Sequence, residues 1–210
     1  MTEPTARKAT KPTHPFEDDL TRLSLEMGGE GDRAAVILAA AKLDLQLVQL
    51  LQRRLVACAS SNDELLDGDS PLGTFSSRIN LTYRLGLIDA EFARALHLVR
   101  RIRNAFAHEI DSRTLTLGSH RDRVRELSAP VKREPEFDQL ALVLFAKNEG
   151  AARDFRMTVA MMAICLDTII RSTDPLPASS ASSFVPREWA ARHPQPSASR
   201  VKPPKASGEA

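Results

Sequence analysis

The chain has 210 residues, of which 42% are hydrophobic but only 5% aromatic, and its formal net charge is +2. A chain of this length normally forms one domain, or one domain with tails, and a composition rich in Ala and Leu but poor in aromatic residues disfavours a β-sheet protein. No apolar run approaches the roughly 18 residues needed to cross a bilayer, and the first fifteen residues lack the apolar segment of a signal peptide. We therefore expect a cytoplasmic protein without a membrane contact.

Charge is unevenly distributed along the chain. Residues 1–15 carry three basic side chains against one acidic, and residues 175–210 carry five against two, so the middle of the chain is slightly acidic. Both ends are rich in Pro, Ser, Thr and Ala without apolar periodicity. This predicts disordered tails at 1–15 and 173–210 around a folded domain at 16–172. A dedicated DNA-binding domain, in contrast, presents a basic face.

Apolar periodicity within the domain predicts an all-α fold, an antiparallel helical bundle. A first helix at Phe16–Met27 ends at Gly28-Gly29-Glu30-Gly31, which is a helix break and not a phosphate loop, because no strand precedes it and no Lys-Ser/Thr follows. Asp32 can cap a long helix that runs to about Ala59. The remaining elements are a loop at Ser60–Gly73, a helix at Thr74–Leu85 before Gly86, a helix from a cap at Asp89 to about His108, helices at Ser119–Leu127, Phe137–Ala146 and Ala151–Arg171, and a connection at Pro130–Glu136.

The two cysteines, Cys58 and Cys165, have neither a CxxC partner nor a His neighbour at metal-ligand spacing. We expect both to be buried, reduced thiols, since disulfides are rare in the cytoplasm. The sequence predicts no metal site and no cofactor.

The segment 89–109 carries the most informative pattern. On a helical wheel, Arg103 falls inside the apolar stripe that contains Val99 and Phe106. An Arg directed at a core needs a carboxylate or carbonyl partner, because an unpaired buried charge is costly. Asp44, on the flank of the apolar face of the long second helix, is the candidate partner. One interpretation is therefore a structural Asp44–Arg103 ion pair, and the other is a functional arginine.

The sequence Arg103-Asn104-Ala105-Phe106-Ala107-His108 has the form Arg-x4-His, with a polar residue directly after the Arg. It resembles the motif of HEPN domains, helical bundles that include metal-independent ribonucleases. The resemblance implies catalytic roles for Arg103, Asn104 and His108 in attack of a ribose 2′-OH on the adjacent phosphate. Five positions on a continuous helix place Arg103 and His108 about 140° apart. They converge only if the helix ends between them or if two subunits pool their residues.

Four segments of the chain form a further pattern that covers roughly residues 16–130. They are Asp32-Arg33-Ala34-Ala35, Pro71-Leu72-Gly73-Thr74-Phe75-Ser76-Ser77-Arg78-Ile79, Tyr83-Arg84-Leu85-Gly86-Leu87-Ile88 and Ile102-Arg103-Asn104-Ala105-Phe106-Ala107-His108. In their order and spacing these segments resemble the mannitol operon repressor (MltR or MtlR) family, a HEPN-like all-helical family. The resemblance implies a helical fold and a role in repression of a sugar-alcohol operon.

The sequence shows no helix-turn-helix, which needs two short helices, a tight turn and a basic recognition helix. A basic stretch runs from Arg94 to Arg133, and its candidate phosphate ligands are Arg94, Arg100 and Arg101. Such a stretch is either a solvated face or a surface that binds nucleic acid without reading its sequence. We therefore expect a transcriptional regulator that acts through a protein partner and as a homo-oligomer, with a dimer favoured. The alternative is a HEPN-type ribonuclease or toxin.

Overall fold

The computed structural model describes residues 15–60, 63–108 and 114–178, together with Glu188 and Arg192. The chain divides into two units, residues 1–176 and 177–210. The described part of the first unit contains only helical elements, with no strand. They are α1 (Pro15–Gly28), α2 (Asp32–Arg54), α3 (Phe75–Arg84), α4 (Ala90–His108), α5 (Gly118–Ser128), a 3₁₀ turn (Val131–Arg133), α6 (Phe137–Leu144) and α7 (Gly150–Ser172). The predicted all-α helical bundle is thus confirmed, whereas most of both predicted tails lies outside the described residues.

Helices α2 and α7 form the centre of the bundle and run in the same direction. Successive polar contacts join Asp32 to Arg156, Gln46 to the carbonyl of Ala163 (2.8 Å), and Arg53 to the carbonyl of Thr173 (2.8 Å). From one contact to the next, the residue numbers rise in both helices, and this happens only when two helices run parallel. The predicted antiparallel arrangement therefore does not hold for this pair.

The end of α2 differs from the prediction for a local reason. Leu55 is extended (φ −71°, ψ 157°), so the helix stops at Arg54 rather than at Ala59. The chain beyond α7 covers this end: the Leu176 amide donates to the Arg54 carbonyl (2.8 Å), and Arg54 donates to the carbonyl of Asp174 (2.8 Å). Residues 173–176, which the sequence assigned to the tail, thus lie against α2.

Helix α2 is long and apolar enough to cross a membrane by length and composition, contrary to the expectation that no such stretch exists. Half of its apolar window is buried within the bundle, and its buried face includes Leu43, Leu47 and Leu50. The core helix of a helical bundle passes the same test of length and composition. The two cysteines also differ from the prediction of buried thiols, since both Cys58 and Cys165 are exposed.

Candidate functional site

A cleft of about 430 Å³ lies between α2, the start of α3 and the last turns of α4. We call it the α3–α4 cleft. Two of the four family-like segments contribute to it, the one that begins at Pro71 and the one that ends at His108. It is lined by Ile37, Ala40, Ala41, Asp44, Gly73, Thr74, Phe75, Ser76, Arg100, Arg103 and Asn104.

Arg78 of α3 determines how the preceding loop lies against α2. Its Nε donates to the carbonyl of Leu72 (2.8 Å), its Nη1 to Oδ1 of Asp44 (2.8 Å) and its Nη2 to the carbonyl of Leu66 (3.2 Å). Only 12% of the Arg78 side chain is exposed. A single guanidinium therefore joins the loop, α2 and α3, using the planar fork of donors that distinguishes Arg from Lys.

The predicted Asp44–Arg103 ion pair is wrong. Asp44 is paired with Arg78, and Arg103 is exposed, with its Nη1 donating to Oδ1 of Asn104 (3.1 Å). Asp44 and Arg103 do line the same cleft, but they are not paired with each other. Because Asp44 is paired with Arg78, Arg103 has no carboxylate partner among the described residues.

The N-terminus of α3 opens onto the cleft. Thr74 caps this helix, with its hydroxyl accepting from the Ser77 amide (3.1 Å). The first amides of a helix have no acceptor within the helix itself, and those of Phe75 and Ser76 have none elsewhere in the described structure. The backbone before this helix passes close to the Gly68 carbonyl, and this requires a glycine at position 73, because a Cβ there would lie 2.2 Å from the carbonyl oxygen.

Arg100 adds a second guanidinium to the cleft. Its Nε is buried and has no hydrogen-bond partner within the described part of the chain. The wall thus combines two guanidinium groups, Arg100 and Arg103, with two helix-terminal amides, whereas its one carboxylate is occupied by Arg78. This arrangement favours an anion.

His108 does not join Arg103 in the cleft. Helix α4 is continuous through His108, its last residue, and His108 is exposed and does not line the cleft. The first condition for convergence of the Arg-x4-His residues, a helix end between them, is therefore not met. Of the predicted catalytic residues, the structure brings together Arg103 and Asn104.

The three predicted phosphate ligands do not form one patch. Arg94 is paired with Glu126 of α5 (Nε to Oε1, 2.9 Å), and Arg101 lines a second cleft with Arg94 and His97. His97 Nε2 lies 3.2 Å from Oδ1 of Asn80. Burial, and then the charges of Arg100 and Arg101, lower the pKa of His97. Only Arg100 faces the α3–α4 cleft.

Sequence reasoning missed the most buried charged side chain of the described structure, Arg156 of α7. Its side chain is 1% exposed and donates to Oδ1 of Asp32 (2.9 Å) and to the carbonyls of Met27 (3.1 Å), Ala152 (2.9 Å) and Glu30 (2.7 Å). A signal was present, since Ala152, Val159 and Ala163 lie within about 60° of position 156 on the helical wheel. The helical-wheel comparison that identified Arg103 as an arginine within an apolar stripe would also have identified Arg156.

Asp32 is correspondingly not the cap predicted for α2. The N-cap position is Gly31, and Asp32 is the first residue of the helix. Besides its contact with Arg156, its Oδ2 accepts from the Leu115 amide (2.8 Å). Within the described residues, no group of His, Cys, Asp or Glu side chains could hold a metal ion.

Comparisons with known proteins bear on the fold. No family model matches the chain, and no curated protein sequence matches it. Among solved structures, the chain is similar to the one described as the X-ray structure of the MtlR–HPr complex from Escherichia coli. The identity is 23%, the TM-score is 0.50, and the match covers 73% of this chain and 98% of that chain. At this identity the likeness shows a shared, MtlR-like helical fold, as the four sequence segments implied.

Proposed function

We propose that this chain is a cytoplasmic regulatory protein of the mannitol operon repressor type, a repressor or co-repressor that acts by binding a protein partner and not by reading DNA itself. The observation that supports this most is the structural likeness to MtlR from Escherichia coli. The likeness spans nearly the whole of the MtlR chain, and that structure is of MtlR in complex with HPr. Since fold alone does not specify function, the proposal also needs a surface that can take a partner.

The groove between α1 and α2 is such a surface. It has a volume of about 490 Å³ and is lined almost entirely by apolar side chains, among them Leu23, Met27, Leu38 and Leu45. Leu38 and Leu45 are about half exposed and, seven positions apart, lie on the same face of α2. Leucine side chains clustered in this way on one face are typical of a protein–protein contact. We assign this α1–α2 groove to an HPr-like partner, after the complex formed by the structural neighbour.

A calorimetric titration with HPr from the same organism tests the proposal. We expect saturable binding that Leu45→Asp weakens at least about tenfold, since a charge placed in an apolar contact must be desolvated. Val143→Asp is the matched control, because Val143 is a comparably exposed apolar residue on α6 and should leave the affinity unchanged. Absence of HPr binding would contradict the proposal. Sedimentation of the protein alone measures the predicted dimer, and dissociation of a dimer by Leu45→Asp would assign the groove to a second copy instead.

The ribonuclease alternative has less support. It requires Arg103 and His108 at one phosphate, and on the continuous α4 they point about 140° apart. A nuclease site would therefore have to be completed by a second subunit.

A further inference from the structure

We propose that the α3–α4 cleft binds a small phosphomonoester, held by Arg100, Arg103 and the N-terminal amides of α3. This site goes beyond the proposed partner contact and does not depend on it, because none of these groups lines the α1–α2 groove. The ligand is identified by three properties of the cleft: its charge, its hydrogen-bond donors and its size.

The charge of the cleft matches a dianion. Arg78 neutralises Asp44, which leaves the guanidinium groups of Arg100 and Arg103 as the uncompensated charges of the wall. A phosphomonoester carries between about −1.5 and −2 at neutral pH. A carboxylate or a phosphodiester carries only one negative charge and leaves one guanidinium unpaired.

The donors also come from two different helices. Arg100 and Arg103 belong to the same turn of α4, and Asn104 accepts a hydrogen bond from the Arg103 guanidinium (3.1 Å). Phe75 and Ser76, the first two residues of α3, line the same cleft. The terminal oxygens of a phosphomonoester can accept from the two arginines and from the amides at the start of α3. Charge-assisted hydrogen bonds of this kind are about twice as strong as neutral ones.

The size of the cleft favours a small molecule. A volume of about 430 Å³ lies at the lower end of the range for small-molecule sites. Ile37, Ala40 and Ala41 of α2 provide an apolar wall against which the organic part of the ligand can lie. A polynucleotide would instead need a basic groove that continues beyond one phosphate. The neighbouring Arg94 and Arg101 line a different cleft.

The experiment is isothermal titration of the full chain with inorganic phosphate, glycerol 3-phosphate and glucose 6-phosphate at constant ionic strength. Glycerol, glucose and a single-stranded oligouridylate serve as comparison ligands. The variants are Arg100→Gln and Arg103→Gln, and the matched control is Arg101→Gln, an exposed arginine of the same helix that faces the second cleft. Ala41→Glu, which places a carboxylate at an exposed position of the cleft wall, tests the site without removing an arginine.

We expect one saturable site for the phosphomonoesters and none for glycerol or glucose. Each arginine variant should weaken binding at least about tenfold, the loss for one charged hydrogen bond, and Ala41→Glu should do the same. Arg101→Gln should change the affinity less than about twofold, and circular dichroism should show all variants folded. Absence of saturation, or an equal loss in Arg101→Gln, would overturn the site. Tighter binding of the oligouridylate that is lost in Arg103→Gln would overturn the small-molecule assignment.

Discussion

Arg156 and Asp32 form an ion pair of 2.9 Å in which the arginine side chain is 1% exposed and the aspartate 14%. The guanidinium also donates to three backbone carbonyls, those of Ala152 in α7, of Met27 in the last turn of α1 and of Glu30 in the turn that follows it. The aspartate accepts from the amide of Leu115, which precedes α5. One pair thus fixes the start of α2 to α7 and to the segment between α4 and α5, and the stability of the bundle depends on it.

The first prediction concerns this pair. Arg156→Met should lower the free energy of unfolding by about 3–5 kcal/mol, because it leaves the largely buried Asp32 carboxylate without its countercharge. Adding Asp32→Leu should restore part of the loss, since no uncompensated charge then remains. Urea unfolding measures both. Arg171→Ala, an exposed arginine in the last turn of α7, is the control and should cost at most about 1 kcal/mol. A cost for Arg156→Met no larger than this control would contradict the structure.

The second prediction distinguishes the two arginines near Asp44. A double-mutant cycle of Asp44→Ala with Arg78→Ala should give a coupling free energy of about 1–3 kcal/mol, as expected for residues in direct contact. The cycle of Asp44→Ala with Arg103→Ala should be additive within about 0.5 kcal/mol. Arg103→Ala should itself have little effect on stability because the side chain is exposed. The reverse result would restore the Asp44–Arg103 pair that the sequence suggested.

The third prediction concerns the loop that leads into α3. Gly73→Ala should destabilise the protein by about 1–3 kcal/mol, because the added methyl group would lie 2.2 Å from a backbone oxygen that cannot rotate away. Gly29→Ala is the matched control, since a Cβ at Gly29 meets no atom within 4 Å, and it should change stability by less than about 1 kcal/mol. Thermal unfolding followed by circular dichroism compares them. Equal melting temperatures of the two variants would show that the Gly68 carbonyl does not lie this close to position 73.

Local signals explain what the sequence predicted well. Helix α3 was predicted at Thr74–Leu85 and observed at Phe75–Arg84, because both of its ends are determined by neighbouring residues. Thr74 caps the start, and Gly86 has the positive φ (69°) that allows the chain to leave a helix. Neither depends on what the helix packs against. The Arg-rich face of α4 was found for the same reason, since a helical wheel needs only the sequence of one helix.

Partners in space could not be predicted in this way. A helical wheel places Asp44 on the flank of α2, but both α3 and α4 pack there, so Arg78 and Arg103 were equally available. Arg156 reaches Asp32 only because α2 and α7 run parallel, which no local signal indicates. The candidate site was therefore predicted as a surface, whereas its ion pairs required the packed structure.

The fourth prediction concerns pH. Burial and the neighbouring Arg100 and Arg101 lower the pKa of His97, so the folded state favours the neutral imidazole. As the pH falls below the ordinary histidine value of about 6.5, the unfolded chain takes up this proton before the folded chain does, and stability decreases. In His97→Gln this contribution should be absent. Urea unfolding at pH 7.5, 6.5 and 5.5 should therefore show a shallower loss of stability in the variant, and parallel curves would contradict the assignment.

The last prediction separates a regulator from a ribonuclease. The purified protein should leave single-stranded RNA intact in the presence of excess chelator, because α4 holds Arg103 and His108 about 140° apart on one continuous helix. The measurement is gel analysis of an end-labelled RNA, with a DNA of the same sequence as the control that lacks the attacking 2′-OH. His108→Ala should retain its fold and its stability within about 1 kcal/mol, since an exposed side chain at a helix C-terminus contributes through the dipole alone. Cleavage that leaves cyclic phosphate ends and disappears in His108→Ala would show that two subunits complete the Arg-x4-His site. It would also replace the regulatory proposal, because an enzyme that cuts RNA needs no protein partner to act.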